Sequence, residues 1–376
     1  MPKTAAEPIP LFNLKKQHEA IQKEINESVI KVLESMQWVL GPENSAFEKE
    51  FAAAIGVKHC VSCSSGAAAL QIALGACGVK PGDEVITTPF TFIATTSSIT
   101  LSGAKFVFAD VDPVTACIDP ESVEQKISKK TKAILPVHLY GYPADMKPLM
   151  ELAEKHNLKV IEDCAQSHLA AYGGSMTGAL GHAGAFSFYP SKNLGACGDA
   201  GAVTTNDDET ANAALSLRHC GRALGKAYEY SHEGSTLRMD DVQAAILRIK
   251  LRRLAGWTEM RRRAAKLYDE GLKNLPVTTP PAPPEKGSQS YYVYTIKAQK
   301  RDELAAYLKE KGISTAVYYP LALYRQPVYA GLKISPADYP NTEKWCAEAL
   351  SLPMFPEISP EQIGRVCAEI KNFYAK

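Results

Sequence analysis

A lysine follows an apolar, strand-like run in the segment Phe186-Ser-Phe-Tyr-Pro-Ser-Lys192, and a glycine-bearing loop, 193–201, comes after it. A lysine held in a partly buried loop has a lowered pKa and can form a Schiff base with an aldehyde. It could equally bind a phosphate. The GxxxxGK[ST] spacing of a P-loop is missing, however, and no GxGxxG opens an early βαβ unit. A nucleotide hydrolase and a dinucleotide-dependent dehydrogenase are therefore disfavoured.

An acidic residue ends another strand-like run, Leu158-Lys-Val-Ile-Glu-Asp163. Ligands of open α/β sheets collect beyond the carboxyl ends of the strands, which makes Asp163 a candidate site residue. Its position alone is explained better by a helix N-cap. The interpretation as a site residue depends on Lys192.

Ser64-Ser65-Gly66-Ala67-Ala68 opens a helical stretch of small residues. The free amides at such a helix start can bind an anion, although a tightly packed helix start explains the same residues equally well. A phosphate site, a strand-terminal Asp and a lysine together predict a pyridoxal phosphate (PLP) enzyme. The lysine would bind the aldehyde, the Asp would keep the pyridine nitrogen protonated, and the amides would hold the phosphate.

Short β-rich runs alternate with helical patterns in the first two thirds of the chain, which predicts an α/β fold with a mostly parallel sheet flanked by helices. The predicted strands are 84–88, 105–110, 132–137, 159–163, 186–189 and 202–205, and one helix is predicted at 146–156. A long helix is predicted over about 240–275. A proline cluster at 276–284 then marks a boundary between residues 1–275 and a smaller α+β domain, 276–376. There we expect strands at 291–296 and 315–319 and helices at 302–312, 342–350 and 360–374.

Composition excludes several classes of protein. The 376 residues include 42 Lys and Arg against 41 Asp and Glu, for a net charge of +1, so we expect no binding of nucleic acid and no membrane association. The first twenty residues lack the apolar run of a secretory signal, and the nine cysteines form an odd set; both favour a cytoplasmic protein. Cys60 and Cys63 form a CxxC without a second pair at zinc spacing, so we predict no metal site.

The sequence resembles the DegT/DnrJ/EryC1/StrS family of nucleotide-sugar aminotransferases over nearly its whole length. The landmarks are Gly41-Pro-Glu, Pro81-Gly-Asp-Glu-Val-Ile, Phe92-Ile-Ala-Thr, Pro136-Val-His-Leu-Tyr-Gly, Glu162-Asp-Cys-Ala-Gln-Ser, Ser187-Phe-Tyr-Pro-Ser-Lys and Arg238-Met-Asp-Asp-Val-Gln-Ala-Ala. The resemblance implies the type I aminotransferase fold. It also implies a homodimer in which the segment 235–238 of one chain completes the active site of the other.

The resemblance assigns roles to individual residues. Lys192 would attach the cofactor and carry the proton, Asp163 would pair with the pyridine nitrogen, and Gln166 would lie near the ring's O3′. Ser187 would bind the phosphate and Phe92 would stack on the ring, although core and strand roles remain open for these two. Related dehydratases have His at the lysine position. Lys192 therefore favours transamination, in which L-glutamate converts PLP to pyridoxamine phosphate (PMP) and the amine passes to a sugar ketone.

Two features depart from the family pattern at the phosphate. Relatives usually carry Thr or Ser after the glycine, whereas Ala67 and Ala68 offer only backbone N–H groups. A family Asn that reaches the phosphate from the neighbouring subunit aligns with Thr236, whose hydroxyl can still donate a hydrogen bond.

The segment around Tyr318 and Tyr319 resembles the subgroup that acts on 3-keto sugars, since the 4-keto subgroup commonly has His at the first tyrosine. The expected acceptor is a UDP-linked 2-acetamido-3-keto hexose or hexuronate used for lipopolysaccharide or another surface polysaccharide. The sugar nucleotide would contact Trp38, Ser191, Arg238, Tyr318 and Tyr319. Packing of both tyrosines in a sheet and pairing of Arg238 with Asp240 or Asp241 remain open. A 4-keto sugar aminotransferase and a non-catalytic ligand-binding regulator are the alternative functions.

Overall fold

The structure is a computed structural model that describes residues 7–375. In chain order its strands are β1 (His59–Cys63), β2 (Glu84–Thr87), β3 (Lys105–Phe108), β4 (Thr131–Leu135), β5 (Lys159–Asp163), β6 (Ala171–Tyr172), β7 (Ser175–Met176), β8 (Ala183–Ser187), β9 (Gly201–Thr205), β10 (Val277–Thr278), β11 (Tyr294–Ala298) and β12 (Ala349–Leu352). The α-helices are α1 (Leu14–Ser35), α2 (Pro42–Ile55), α3 (Gly66–Ala76), α4 (Ala94–Leu101), α5 (Pro120–Lys126), α6 (Met146–His156), α7 (Asp208–Leu217), α8 (Asp241–Gly271), α9 (Arg301–Glu310), α10 (Pro340–Glu348) and α11 (Pro360–Tyr374).

The large sheet has seven strands in the order β1-β9-β8-β5-β4-β2-β3. Strand β9 runs antiparallel to both of its neighbours, β1 and β8, and the other six strands of this sheet share one direction. Helices cover the sheet: α3 packs on β8 and β9, and α6 packs on β4 and β5. Most residues of the central strands are buried, which explains why their sequences are nearly continuous apolar runs. The prediction of a mostly parallel sheet flanked by helices is confirmed.

A second, antiparallel sheet with the order β10-β11-β12 lies in the C-terminal part of the chain. Its core includes the stacked rings of Tyr268 and Tyr294, whose centroids are 4.7 Å apart, and the buried faces of α9 and α11. Helix α11 begins with a capping box between Ser359 and Gln362, and Pro360 occupies the first turn. These local signals explain why its predicted bounds, 360–374, match the structure.

One prediction for this region was wrong, and one helix was predicted two residues too late in the chain. Residues 315–319 form no strand, because only Ala316 pairs with β12, through an isolated bridge to Ser351. The chain then turns away so that Tyr318 and Tyr319 face the large sheet. The helix predicted at 342–350 ends at Glu348, because Ala349 already pairs with β11. The division of the chain at residue 275 stays a prediction.

Helix α8 connects the two cores. Its first half packs against α1 and α2, and its second half packs against α11. The buried guanidinium of Arg261 donates hydrogen bonds to the carbonyls of Tyr291, Tyr292 and Met354, and burial lowers its pKa to about 10. The helix therefore fixes the chain that enters β11 relative to the large sheet.

The CxxC motif lies within β1, where both thiols are buried. Burial raises the pKa of Cys63 to about 12 and that of Cys60 well above its ordinary range. A thiol with a raised pKa is a poor nucleophile and a poor metal ligand, so packing explains both residues. Within residues 7–375 no helix combines the length and apolar character needed to cross a bilayer.

Candidate active site

A cavity of about 840 Å³ opens at the carboxyl ends of the parallel strands. Asp163 is the last residue of β5, Ser187 is the last residue of β8, and Gly66 is the first residue of α3; all three line the cavity. The volume lies within the range of ligand pockets. The parallel strands thus place side chains from distant parts of the sequence around one space, as expected for an open α/β sheet.

Lys192 projects into this cavity from the turn after β8. Its Nζ has no hydrogen-bond or ion-pair partner among residues 7–375 and lies 4.4 Å from the ring centroid of Tyr292. Burial lowers the pKa of Lys192 from 10.5 to about 8, while the Asp163 carboxylate acts in the opposite direction. The lowered pKa gives the amine a larger neutral fraction near pH 7 than an exposed lysine has, and the neutral form is the nucleophile.

Asp163 is buried, and its carboxylate accepts hydrogen bonds from Thr95 Oγ1 at 2.9 Å and from the backbone N–H of Ala165 at 3.1 Å. Burial raises the pKa of Asp163 above its ordinary value, although these hydrogen bonds, Lys192 and His138 act in the opposite direction. No helix begins after Asp163, which excludes the N-cap interpretation. A protonated ring nitrogen is the kind of partner that would keep this carboxylate ionised.

The start of α3 supplies backbone donors next to Ser187. Ser65 Oγ caps the helix by accepting from Ala68 N–H at 3.1 Å, whereas the N–H groups of Gly66 and Ala67 have no partner in the described chain. A Cβ on Gly66 would lie 2.5 Å from Ser187 Cβ, so only glycine allows the helix to approach β8 this closely. Two unpartnered amides and the Ser187 hydroxyl therefore lie close together, where they could bind an anion. The Ala68 N–H donates to the cap at Ser65 Oγ, and the role expected of it at the phosphate stays a prediction.

Gln166 and Phe92 also line the cavity. Gln166 Oε1 accepts from the backbone N–H of Tyr140 at 2.7 Å, and its Nε2 donates to the Tyr319 hydroxyl at 3.3 Å. The Phe92 ring is 58% exposed, so it is not a core residue, and its centroid lies 6.4 Å from that of Tyr319. A planar ligand could stack on this exposed ring.

Tyr318, Tyr319 and Ser191 line the cavity as well. The two tyrosines are not packed in the small sheet, so that alternative is excluded. Ser191 Oγ lies 3.2 Å from the hydroxyl of Tyr292. Sequence reasoning assigned no role to Tyr140, Tyr292 or Thr95. Tyr140 lies in the Pro136–Gly141 landmark and Thr95 ends the Phe92-Ile-Ala-Thr landmark, and these were the available signals for the two residues.

Trp38, Thr236 and Arg238 lie outside the cavity of their own chain. Trp38 is 50% exposed, and Thr236 Oγ1 lies 3.3 Å from Cys220 Sγ. Arg238 approaches His219 Nδ1 at 3.0 Å and forms no ion pair with Asp240 or Asp241. Their roles in cofactor or substrate binding stay predictions, as does the homodimer through which they would act.

His138, Glu162 and Cys164 place potential metal ligands within 4.8 Å of one another. His138 Nδ1 accepts from the backbone of Ala144 at 3.0 Å, so Nε2 is the protonated nitrogen and donates to Glu162 at 2.8 Å. Glu162 also accepts from three backbone N–H groups, at residues 178, 180 and 181. Because the lone pairs of His138 Nδ1 and of the Glu162 carboxylate already accept from protein donors, the cluster stabilises β5 through hydrogen bonds.

The family model of the DegT/DnrJ/EryC1/StrS aminotransferase family matches residues 19–371. The chain belongs to this family. It is 47% identical to the "Pleiotropic regulatory protein" of Geobacillus stearothermophilus over 97% of this chain and 98% of that protein. It is 40% identical to "dTDP-3-amino-3,4,6-trideoxy-alpha-D-glucose transaminase" of Streptomyces venezuelae, covering 97% and 96% of the two chains. It is 41% identical to "UDP-N-acetyl-3-dehydro-alpha-D-glucosamine 3-aminotransferase" of Acidithiobacillus ferrooxidans, covering 97% of each.

Among solved structures, S. venezuelae DesV in complex with a ketimine intermediate superposes with a TM-score of 0.95 at 38% identity, covering 99% of this chain and 100% of that one. The protein is therefore a PLP-dependent sugar aminotransferase with the type I aminotransferase fold, and it acts on nucleotide keto-sugars.

The cavity of this aminotransferase has groups of the right chemistry for each part of PLP. The amides of Gly66 and Ala67 and the Ser187 hydroxyl would hold the phosphate, and the buried Asp163 carboxylate would hold the ring nitrogen. Lys192 Nζ, without a protein partner, would hold the aldehyde carbon. When bound, the cofactor supplies an electron sink for the carbon that loses its proton.

Proposed function

We propose that this aminotransferase transfers the amino group of L-glutamate to the ketone of a UDP-linked 2-acetamido-3-keto hexose or hexuronate. The observation that carries the proposal is the position of Tyr318 and Tyr319, which line the same cavity as Lys192. This tyrosine pair is the feature by which the sequence resembles the 3-keto subgroup. Both transaminase relatives described above are named for an amine at C3, one on a dTDP sugar and one on a UDP sugar, which also supports a C3 ketone.

Lys192 moves the proton in both directions. Its neutral amine takes a proton from the α-carbon of glutamate, and the resulting ammonium later returns a proton to the sugar carbon that receives the amine. With a pKa of about 8, the group can both accept and donate a proton near neutral pH. The Asp163 carboxylate holds the protonated ring nitrogen.

We also propose a homodimer with shared active sites in the cytoplasm. Large apolar side chains are exposed at the end of α1 and just after it, at Ile30, Leu33, Met36, Trp38 and Val39. Such a patch is typical of a surface that another chain covers. Thr236 and Arg238, which have no access to the cavity of their own chain, would then complete the partner's site. Nine unpaired cysteines fit a reducing compartment.

Purified enzyme incubated with L-glutamate and separate UDP-linked 3-keto, UDP-linked 4-keto and dTDP-linked 3-keto sugars tests the substrate. We expect amination of the UDP-linked 3-keto compound, detected by mass spectrometry. Exclusive amination of a 4-keto sugar would reverse the assignment of the ketone, and exclusive use of the dTDP sugar would reverse that of the nucleotide.

The role of Lys192 is tested with Lys192→Ala and Lys192→Arg. Both should lose turnover and the absorbance change that glutamate causes in the bound cofactor. Lys105→Ala, at the exposed start of β3, is the matched control and should behave as wild type. Normal turnover by Lys192→Ala would remove the basis of the mechanism.

A further inference from the structure

Tyr140 lies in the turn after β4 with φ 60° and ψ 2°, in the left-handed region of backbone space. A bulky side chain is uncommon in that region and is kept there only when surrounding contacts hold it. Tyr140 is 8% exposed and does not line the cavity itself. Its three polar groups nevertheless all bind segments that do.

The backbone N–H of Tyr140 orients Gln166. Since this N–H donates to Gln166 Oε1 at 2.7 Å, the amide must present its Nε2 on the other side, where it donates to the Tyr319 hydroxyl at 3.3 Å. The O and N positions of the amide are therefore fixed by a backbone donor. A rotated amide would place two N–H donors against each other.

The backbone carbonyl of Tyr140 holds the segment that covers Lys192. It accepts from Tyr292 N–H at 3.1 Å, and the Tyr292 ring in turn lies over the Lys192 ammonium. The next residue, Gly141, has φ 92°, and a Cβ there would lie 2.5 Å from Ser290 Oγ. Only glycine permits the turn to lie this close to residues 290–292.

The phenol of Tyr140 reaches the acceptor side of the cavity, where its hydroxyl donates to the backbone carbonyl of Tyr318. Burial raises the pKa of this phenol well above its ordinary value, so the group remains a donor over the working pH range. One residue thus connects Gln166, Tyr292 and Tyr318, which come from three distant parts of the chain.

We propose that Tyr140 is a positioning residue that fixes the Tyr318–Tyr319 segment, and with it the sugar acceptor, relative to Lys192. This inference rests on the proposed function, in which those tyrosines contact the sugar. The three contacts are separable: the N–H and C=O act on Gln166 and Tyr292, whereas only the hydroxyl acts on Tyr318. Removing the hydroxyl should therefore disturb binding of the sugar and leave the reaction with glutamate intact.

Tyr140→Phe in the holoenzyme tests this separation. Loss of one buried hydrogen bond corresponds to about a tenfold effect, so we expect KM for the keto-sugar to rise about tenfold with little change in kcat. The rate of the glutamate half-reaction, followed by the absorbance of the bound cofactor, should stay within about twofold of wild type. Tyr142→Phe is the matched control, because its hydroxyl donates to Ala282 O at 3.2 Å on the exposed side of the turn.

The inference is overturned if Tyr140→Phe has the same sugar KM as Tyr142→Phe, or if its glutamate half-reaction slows as much as its sugar half-reaction. The second result would mean a general structural role. The cofactor absorbance band and the thermal unfolding midpoint of each variant show that it is folded and loaded. A wild-type enzyme that reacts with glutamate but aminates no nucleotide keto-sugar would instead refute the proposed function, independently of Tyr140.

Discussion

Replacing Lys192 by methionine should stabilise the apoprotein. The structure lowers the pKa of Lys192 from 10.5 to about 8, so the folded state holds the charged amine less favourably than the unfolded state does. One pKa unit corresponds to about 1.4 kcal/mol, which sets an upper limit of about 3.5 kcal/mol on this penalty. The amine faces an open cavity where water screens the charge, so we expect about 1 to 2 kcal/mol.

The effect has a defined pH dependence. Below about pH 8 the lysine is charged in both states and the penalty is complete. Between pH 8 and 10.5 the unfolded state binds more protons than the folded state, so the stability of the wild type rises with pH. Above pH 10.5 the amine is neutral in both states and the penalty disappears.

Urea unfolding of cofactor-free protein at pH 7, 9 and 10.5 measures this difference. Lys192→Met should exceed wild type by about 1 to 2 kcal/mol at pH 7, and the gap should narrow as the pH rises. Lys105→Met, at an exposed site, controls for the loss of a lysine in general. A variant that is no more stable than wild type at pH 7, or a gap that stays constant to pH 10.5, would refute the argument that burial of the charged amine is costly.

Three further predictions concern the support of the cofactor site. Gly66→Ala places a Cβ 2.5 Å from Ser187 Cβ and should weaken cofactor binding about 10- to 100-fold in a fluorescence titration. The control Gly256→Ala lies in an open part of α8, and it should bind the cofactor normally and be up to about 1 kcal/mol more stable. Glu162→Gln places an amide N–H donor against the N–H donors around it and should lower the free energy of unfolding by about 2 to 3 kcal/mol. An unchanged urea midpoint would contradict the role of Glu162 in supporting β5. Asp163→Asn removes the charge that pairs with the ring nitrogen and should lower kcat at least 100-fold while the protein stays folded, so a wild-type kcat would exclude that pairing.

Local patterns predicted much of the fold. Helix α6 has the predicted bounds because Met146, Leu149, Leu152 and Ala153 form one apolar face. Strand β5 is recognisable because its apolar run ends in two acids. The prediction of a strand at 315–319 was wrong, because tertiary contacts that the sequence does not reveal outweigh the local β propensity there.

The candidate site also has features that the sequence predicted and features that it did not. Lys192, Asp163 and Gly66 were identified from residue type and from their positions at element ends, and the structure brings all three to one cavity. A helix cap and a ligand compete for the Ala68 N–H, and the sequence does not show which of them binds it. In the structure this N–H donates to Ser65 Oγ.

The sequence alone determined which chemistry is available: an amine that can attack an aldehyde, a carboxylate at a strand end and a glycine at a helix start. Those properties belong to individual side chains and to short-range periodicity. Only the tertiary structure decided that Tyr140 joins Gln166, Tyr292 and Tyr318, because these hydrogen bonds connect residues 26 to 178 positions apart. It also lowered the pKa of Lys192, since burial depends on every segment that closes the cavity and not on the residues next to the lysine.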